Sequence, residues 1–156
     1  MVYLDKLDKL NFCKGLSADH LSRLMLAGTM KEYLPGDRLF FEGLSSPEVY
    51  LLLEGEVSLE TAMPGLEPMQ FQTVGVGELL GWSPLLGLGM MTSTARALRP
   101  CRILALDIAK LNAMSEADPT FALEIMRRTA ITLARRLNAT RQQVLEHQCN
   151  HLQSVS

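Results

Sequence analysis

The apolar positions of this chain change period twice, and each change marks a boundary. From Tyr3 to Asn11 they recur at Leu4, Leu7 and Leu10, a helical spacing, and Ser17 is a good N-cap for a second helix through Leu26. Pro35-Gly36-Asp37 then makes a turn and the period falls toward two. Arg38 to Phe41, Val49 to Leu53, Glu56 to Glu60 and Met69 to Val74 read as short strands, broken at Glu42-Gly43, Glu54-Gly55 and Pro64-Gly65. Ser93 to Leu98 and Cys101 to Leu106 complete the set, split by Arg99-Pro100. Strands this short, with turns this frequent, predict an antiparallel roll or barrel.

The last third returns to helix. Asp107 can cap Ile108 to Met114, and Asp118-Pro119 is an N-cap followed by proline at the first helical position. No proline or glycine follows, so a long helix is predicted from Pro119 to about His147. Along it Met126, Ala130, Leu133, Leu137, Thr140 and Val144 alternate at four and three residues, a heptad seam that His147 and His151 continue. One small roll does not require a seam so long. It predicts a parallel homodimer through Leu133, Leu137, Thr140 and Val144, the alternative being a helix lying flat on its own domain. The fold class is thus mainly β with flanking helices: residues 1–118 form helices and the antiparallel roll or barrel, and residues 119–156 a dimer helix and tail.

Composition narrows the classes. The chain has 156 residues, room for one domain, with 47% hydrophobic and 21% charged residues. Its net charge of −2 argues against a dedicated nucleic-acid binder. No apolar run approaches the ~20 residues of a membrane span, and the N-terminus lacks the basic and apolar regions of a signal peptide. Cys13, Cys101 and Cys149 lie far apart, as free thiols in a reducing cytoplasm would. A cytoplasmic setting with no membrane contact is expected.

Leu34-Pro35-Gly36-Asp37, Phe40-Phe41-Glu42-Gly43, Tyr50-Leu51-Leu52-Leu53-Glu54-Gly55-Glu56-Val57, Gly77-Glu78-Leu79-Leu80-Gly81, Ala95-Arg96-Ala97 and Ala134-Arg135-Arg136-Leu137 together resemble the cyclic-nucleotide-binding roll of the Crp/Fnr family. The likeness covers about the first 145 residues, and it implies a jelly-roll-like β-roll of about eight strands with a short helix near Ser83 to Leu86. Gly43, Gly55 and Gly77 stand where such a roll turns tightly and needs positive φ.

The resemblance places a phosphate-binding cassette at about residues 77–97. In cyclic-AMP-binding members it runs Gly-Glu, nine residues, then Arg-Ser or Arg-Thr. The glutamate takes the ribose 2′-hydroxyl and the arginine pairs with the phosphate. Gly81 and Ser93 match, but Trp82 stands at the glutamate position and Thr92 at the arginine position. Glu78 aligns with an earlier acidic residue, and Arg96 lies four strand residues on, some 13 Å at ~3.3 Å each. A buried arginine–phosphate contact is worth about 2–5 kcal/mol by truncation, and a hydrogen bond to a carboxylate about 1.5–3 kcal/mol. Losing both weakens binding by about 10³ or more, which argues against conventional cyclic-AMP recognition.

What remains is still suited to a ligand. Thr92, Ser93 and Thr94 offer three hydroxyls near backbone N–H groups, and Trp82 either stacks on an aromatic ligand or fills the vacated space. Met90 and Met91 are apolar lining or gap-fillers. Thr140 is where the resemblance lets the dimer helix reach the ligand. The effector class left open is a cyclic nucleotide or another small anionic or aromatic molecule. Gly81, Trp82, Thr92, Ser93, Thr94 and Thr140 are the candidate pocket.

Other constellations carry less. His147 and His151 share a helix face but Cys149 points away from them, so no metal site is expected. Arg127, Arg128, Arg135, Arg136 and Arg141 read as a solvated basic flank of the seam. No catalytic motif or dinucleotide fingerprint occurs, so no enzyme is expected. The family's winged helix-turn-helix would follow the dimer helix, yet this chain ends at Ser156. The reading is a non-enzymatic sensor module that binds an unusual effector or a partner protein and does not bind DNA by itself. The alternatives are the effector domain of a truncated transcription regulator and a true cyclic-nucleotide binder.

Overall fold

The computed structural model describes residues 6–155. Two four-stranded antiparallel sheets face each other. One has the order β1 (Gly28–Tyr33), β8 (Cys101–Asp107), β3 (Glu48–Glu54), β6 (Leu79–Leu80). The other runs β2 (Arg38–Phe40), β7 (Thr94–Ala97), β4 (Val57–Thr61), β5 (Met69–Val74). Helices α1 (Ala18–Ala27), α2 (Ile108–Ala117) and α3 (Pro119–Val155) flank this roll.

β3 and β8 explain why Val49 to Leu53 reads as an unbroken apolar run. Tyr50, Leu52 and Ile103 point between the sheets, while Leu51, Leu104 and Leu106 point outward under the helices with Leu24, Leu111 and Phe121. Both faces are covered, so neither alternate position can be polar. Two strands escaped the hydropathy pattern. β1 carries Lys31 and Glu32 because it is an edge strand, yet all six of its residues pair with β8. β6 is two residues long, too short to show a period.

Both predicted caps form: Ser17 Oγ accepts from the His20 N–H at 3.1 Å, and an Asp107 carboxylate oxygen from the Lys110 N–H at 3.0 Å. The first expected helix, Tyr3 to Asn11, lies partly outside the described residues. Within them Lys6 and Leu7 are helical, and residues 8–15 run as turns and a bend, with the N–H groups of Leu10, Cys13 and Leu16 bonded to carbonyls three residues back. Leucine spacing says which residues go inward, not how the backbone closes its hydrogen bonds. Ser83 to Leu86 likewise forms a turn, with Leu86 N–H on Trp82 O and Leu88 N–H on Ser83 O. Gly87 at φ 72° stops it from propagating.

α3 starts at Asp118. One carboxylate oxygen accepts from the Thr120 and Phe121 N–H groups (3.1 and 3.3 Å), and the other takes Arg23 Nη1 at 2.9 Å and His20 Nε2 at 3.3 Å. Burial works to raise this carboxyl's pKa, but the Phe121 N–H, His20 and Arg23 outweigh it and hold it below the usual range. The helix spans 37 residues, ~55 Å, and passes the predicted end near His147. Phe121, Ile125, Thr129 and Thr132 are its buried stripe.

Gly55 takes φ 100° at the β3–β4 turn, and a Cβ there would sit 2.6 Å from Pro100 O and 2.7 Å from Cys101 Sγ. Gly65 takes φ 73° at the β4–β5 turn with nothing within 4 Å. Gly55→Ala should therefore lower stability by more than about 2 kcal/mol and Gly65→Ala by about 1 kcal/mol, read by urea denaturation. Equal losses would mean that the close packing at Gly55 does not constrain the turn.

Candidate functional site

A cavity of about 230 Å³ opens between one end of the roll and α3. Phe40, Leu59, Phe71 and Gln72 from the second sheet line it on the roll side. Gly81, Trp82 and Ser83, with Met91, Thr92 and Ser93, form the cassette wall. Leu133, Arg136, Leu137 and Thr140 of α3 close the helix side.

Gly81 makes the wall thin. It holds φ 73°, and a Cβ would meet Met91 Cε and Phe40 Cε1 at 3.0 Å and Tyr50 Cδ2 at 3.1 Å. Only bare backbone fits among these side chains, which leaves the neighbouring peptide facing the cavity. Trp82 is half-buried and does two things: it packs on the helix-side core, and it lines the cavity. Ser83 and Ser93 are buried and Thr92 is exposed at the rim. Met91 is buried in the lining, whereas Met90 is 61% exposed and pairs with Ser45 in an isolated bridge.

Thr94 belongs elsewhere. Strand alternation sends Ser93 and Ala95 inward and Thr94 and Arg96 outward. The Thr94 hydroxyl accepts the Glu42 N–H at 2.9 Å and lines a separate surface hollow with Arg38 and Glu60. Arg96 is held on that outer face by Glu60, Nε to Oε1 at 3.0 Å, with Ser58 Oγ donating to the same carboxylate oxygen. It is outside the cavity lining. Glu78 turns back to accept the Gly75 N–H at 2.9 Å.

The basic flank needs correction at two positions. The Arg128 side chain is largely buried, paired with Glu124 and donating from Nη2 to the Lys14 carbonyl at 2.7 Å. The other is Arg136, which faces the cavity. Arg136 is not a solvated surface residue: it lies half-buried in the cavity lining, and Nη2 donates to the Leu79 carbonyl. Burial pushes its pKa down, and Glu78 offsets this through space. The sequence did contain the signal. Arg136 stands three residues after Leu133 and four before Thr140, so all three share a helix face.

His147, Cys149 and His151 are exposed on α3. Among the described residues the grouping with metal-ligand chemistry is Asp19, His20 and Asp118. Arg23 already fills its centre of negative charge, with Nε 3.2 Å from Asp19 and Nη1 2.9 Å from Asp118. Among the described residues no helix is long and apolar enough to cross a membrane.

With the roll, the cassette turn and the closing helix in place, comparison with known proteins assigns the class. The family model of the cyclic nucleotide-binding domain matches residues 30–118, more than half of the chain. A search of the curated proteins finds no match. Among solved structures, a protein of Geobacter metallireducens GS-15 described as cyclic nucleotide-binding is 28% identical with a TM-score of 0.76, over 88% of this chain and 99% of that one. The N-terminal domain of a transcriptional regulator from Streptomyces coelicolor A3(2) is 28% identical, with a TM-score of 0.69 over 90% and 95% of the two chains. The Thermus thermophilus catabolite activator protein is 26% identical with a TM-score of 0.70, over 90% of this chain and 62% of its own. The chain belongs to the cyclic nucleotide-binding domain family, on the roll of the Crp/Fnr regulators.

If Trp82 and Thr92 occupy the ribose and phosphate positions of the cassette, restoring them should create cyclic-AMP binding. The double variant Trp82→Glu/Thr92→Arg should gain several degrees of melting temperature at millimolar cyclic AMP relative to the same variant alone. A folded double variant that ignores cyclic AMP would show that the cavity differs by more than these two side chains.

Proposed function

We propose that this chain is a non-catalytic regulatory module, cytoplasmic by its cysteine usage. Its cavity takes a small effector other than a conventionally bound cyclic nucleotide, and its long helix makes a parallel homodimer. The observation that carries the reading is that one stretch of α3 has two duties. Leu133, Leu137 and Thr140 line the cavity and also lie on the heptad seam with Val144. An effector touching the first set acts on the helix that forms the second.

The seam needs a partner. From Leu137 to Val155 every residue of α3 is exposed, ~28 Å of helix without support from its own roll. Leu137 is 61%, Val144 55% and Leu152 68% exposed. Helices in water depend on packing of an apolar face rather than on propensity alone. The buried stripe at Ile125, Thr129 and Thr132 precedes Met126, Ala130 and Leu133 by one residue, ~100° around the helix. One face is used within the chain and the next is left for a second copy.

The likeness to the N-terminal domain of a Streptomyces transcriptional regulator supports a second reading, in which the module passes its state to a further domain or to a partner protein.

Two measurements test the proposal. Leu137→Asp should give monomers in light scattering at concentrations where the native chain is dimeric. A dimer indifferent to that change would put the interface elsewhere. Millimolar cyclic AMP or cyclic GMP should leave the native melting temperature nearly unchanged, since a ligand at one hundred times its Kd adds about 2.7 kcal/mol. A clear cyclic-AMP shift that Ser93→Ala abolishes would restore conventional sensing.

A further inference from the structure

Resting on the proposal that the cavity is an effector site, the geometry points to its ligand class: a small organic carboxylate whose anion is held by Arg136 of the long helix, and not by the cassette. Among the described residues that line the cavity, Arg136 is the only charged one. Gln72, Ser83, Ser93 and Thr140 surround it with neutral polar groups, and Phe40 and Phe71 offer aromatic faces. A ligand with an anionic end and a flat apolar body matches this lining. A ribose diol does not, because no carboxylate lines the cavity to accept its hydroxyls.

Arg136 is poised for such a ligand. One guanidinium nitrogen is spent on the Leu79 carbonyl, which fixes the fork against β6, and a second nitrogen remains for an anion. Glu78 reaches it only through space, without a hydrogen bond. A half-desolvated guanidinium with no hydrogen-bonded carboxylate is only partly compensated by Glu78, and an arriving anion would complete the compensation. The charged group that lines the cavity thus sits on the helix and not on the cassette. Capture of the anion would bond the ligand to α3 directly.

Trp82 is the single tryptophan and lines the same cavity, so its fluorescence reports on the site alone. Phenylacetate and phenylacetamide are titrated against the native chain, Arg136→Gln and Arg136→Lys, with melting temperature as the check on folding. In parallel, quenching of Trp82 by iodide is compared with quenching by neutral acrylamide. Phenylacetate should act at concentrations about 10- to 100-fold below its amide, the range of a charged hydrogen bond. Arg136→Gln should erase that preference and weaken iodide quenching while leaving acrylamide quenching intact, and Arg136→Lys should keep part of both. If the carboxylate and the amide act equally on the native chain, the anion anchor is wrong while the effector cavity stands. If iodide quenching ignores Arg136→Gln, the anchor is likewise overturned. If neither compound acts and cyclic AMP does, the anchor and the underlying reading fail together.

Discussion

The site depends on how α3 is fastened. Asp118 satisfies the first N–H groups of the helix and at the same time takes His20 and Arg23 from α1, so the start of the helix is tied to a helix more than ninety residues earlier in the chain. Phe121 and Ile125 then sink into the core under the first sheet, and His20 meets the Phe121 ring edge-on at 5.4 Å. Thr129 and Thr132 are buried too, and their hydroxyls are satisfied by carbonyls four residues back. Three buried turns set the direction of everything after them. They bring Leu133, Arg136 and Thr140 across the mouth of the roll, and without them the cavity would be an open hollow.

The roll supplies the complementary half by leaving space. Gly81 cannot carry a side chain among Met91, Phe40 and Tyr50, so the cassette backbone presses close to the inner core. On the outer face of the second sheet, Glu60 collects Arg96 and Ser58 and keeps that guanidinium away from the cavity. The electrostatics of the interior are therefore set by the helix. The distribution is the reverse of a cassette arginine facing a ligand from the roll.

Much of the fold was legible because it rests on local chemistry. The turn glycines, the caps at Ser17 and Asp107, and the proline after Asp118 each have one mechanical reason and appear as read. β1 and β6 were not, since an edge strand tolerates Lys31 and Glu32 and a two-residue strand has no period. The site was legible only in part. Gly81, Trp82, Thr92, Ser93 and Thr140 do line one cavity, but Thr94 faces outward, because strand parity is decided by the pairing register and not by the hydroxyl run. Arg136 was separable from Arg135 by its spacing to Leu133 and Thr140, but which helix face meets the roll depends on the rotation of α3, and that is fixed by Phe121 and Ile125, far from the arginine itself.

The same fastening makes α3 a mechanical lever. Its last buried residue, Thr132, and its far end at Val155 are ~35 Å apart along the axis. A tilt of ~5° about the buried turns would carry the tip sideways through ~3 Å. The cavity touches the rod close to its pivot, where small displacements of Leu133 or Arg136 are easiest to impose. On this geometry a sub-ångström adjustment near the roll would move the far end of the arm sideways by several times its own size.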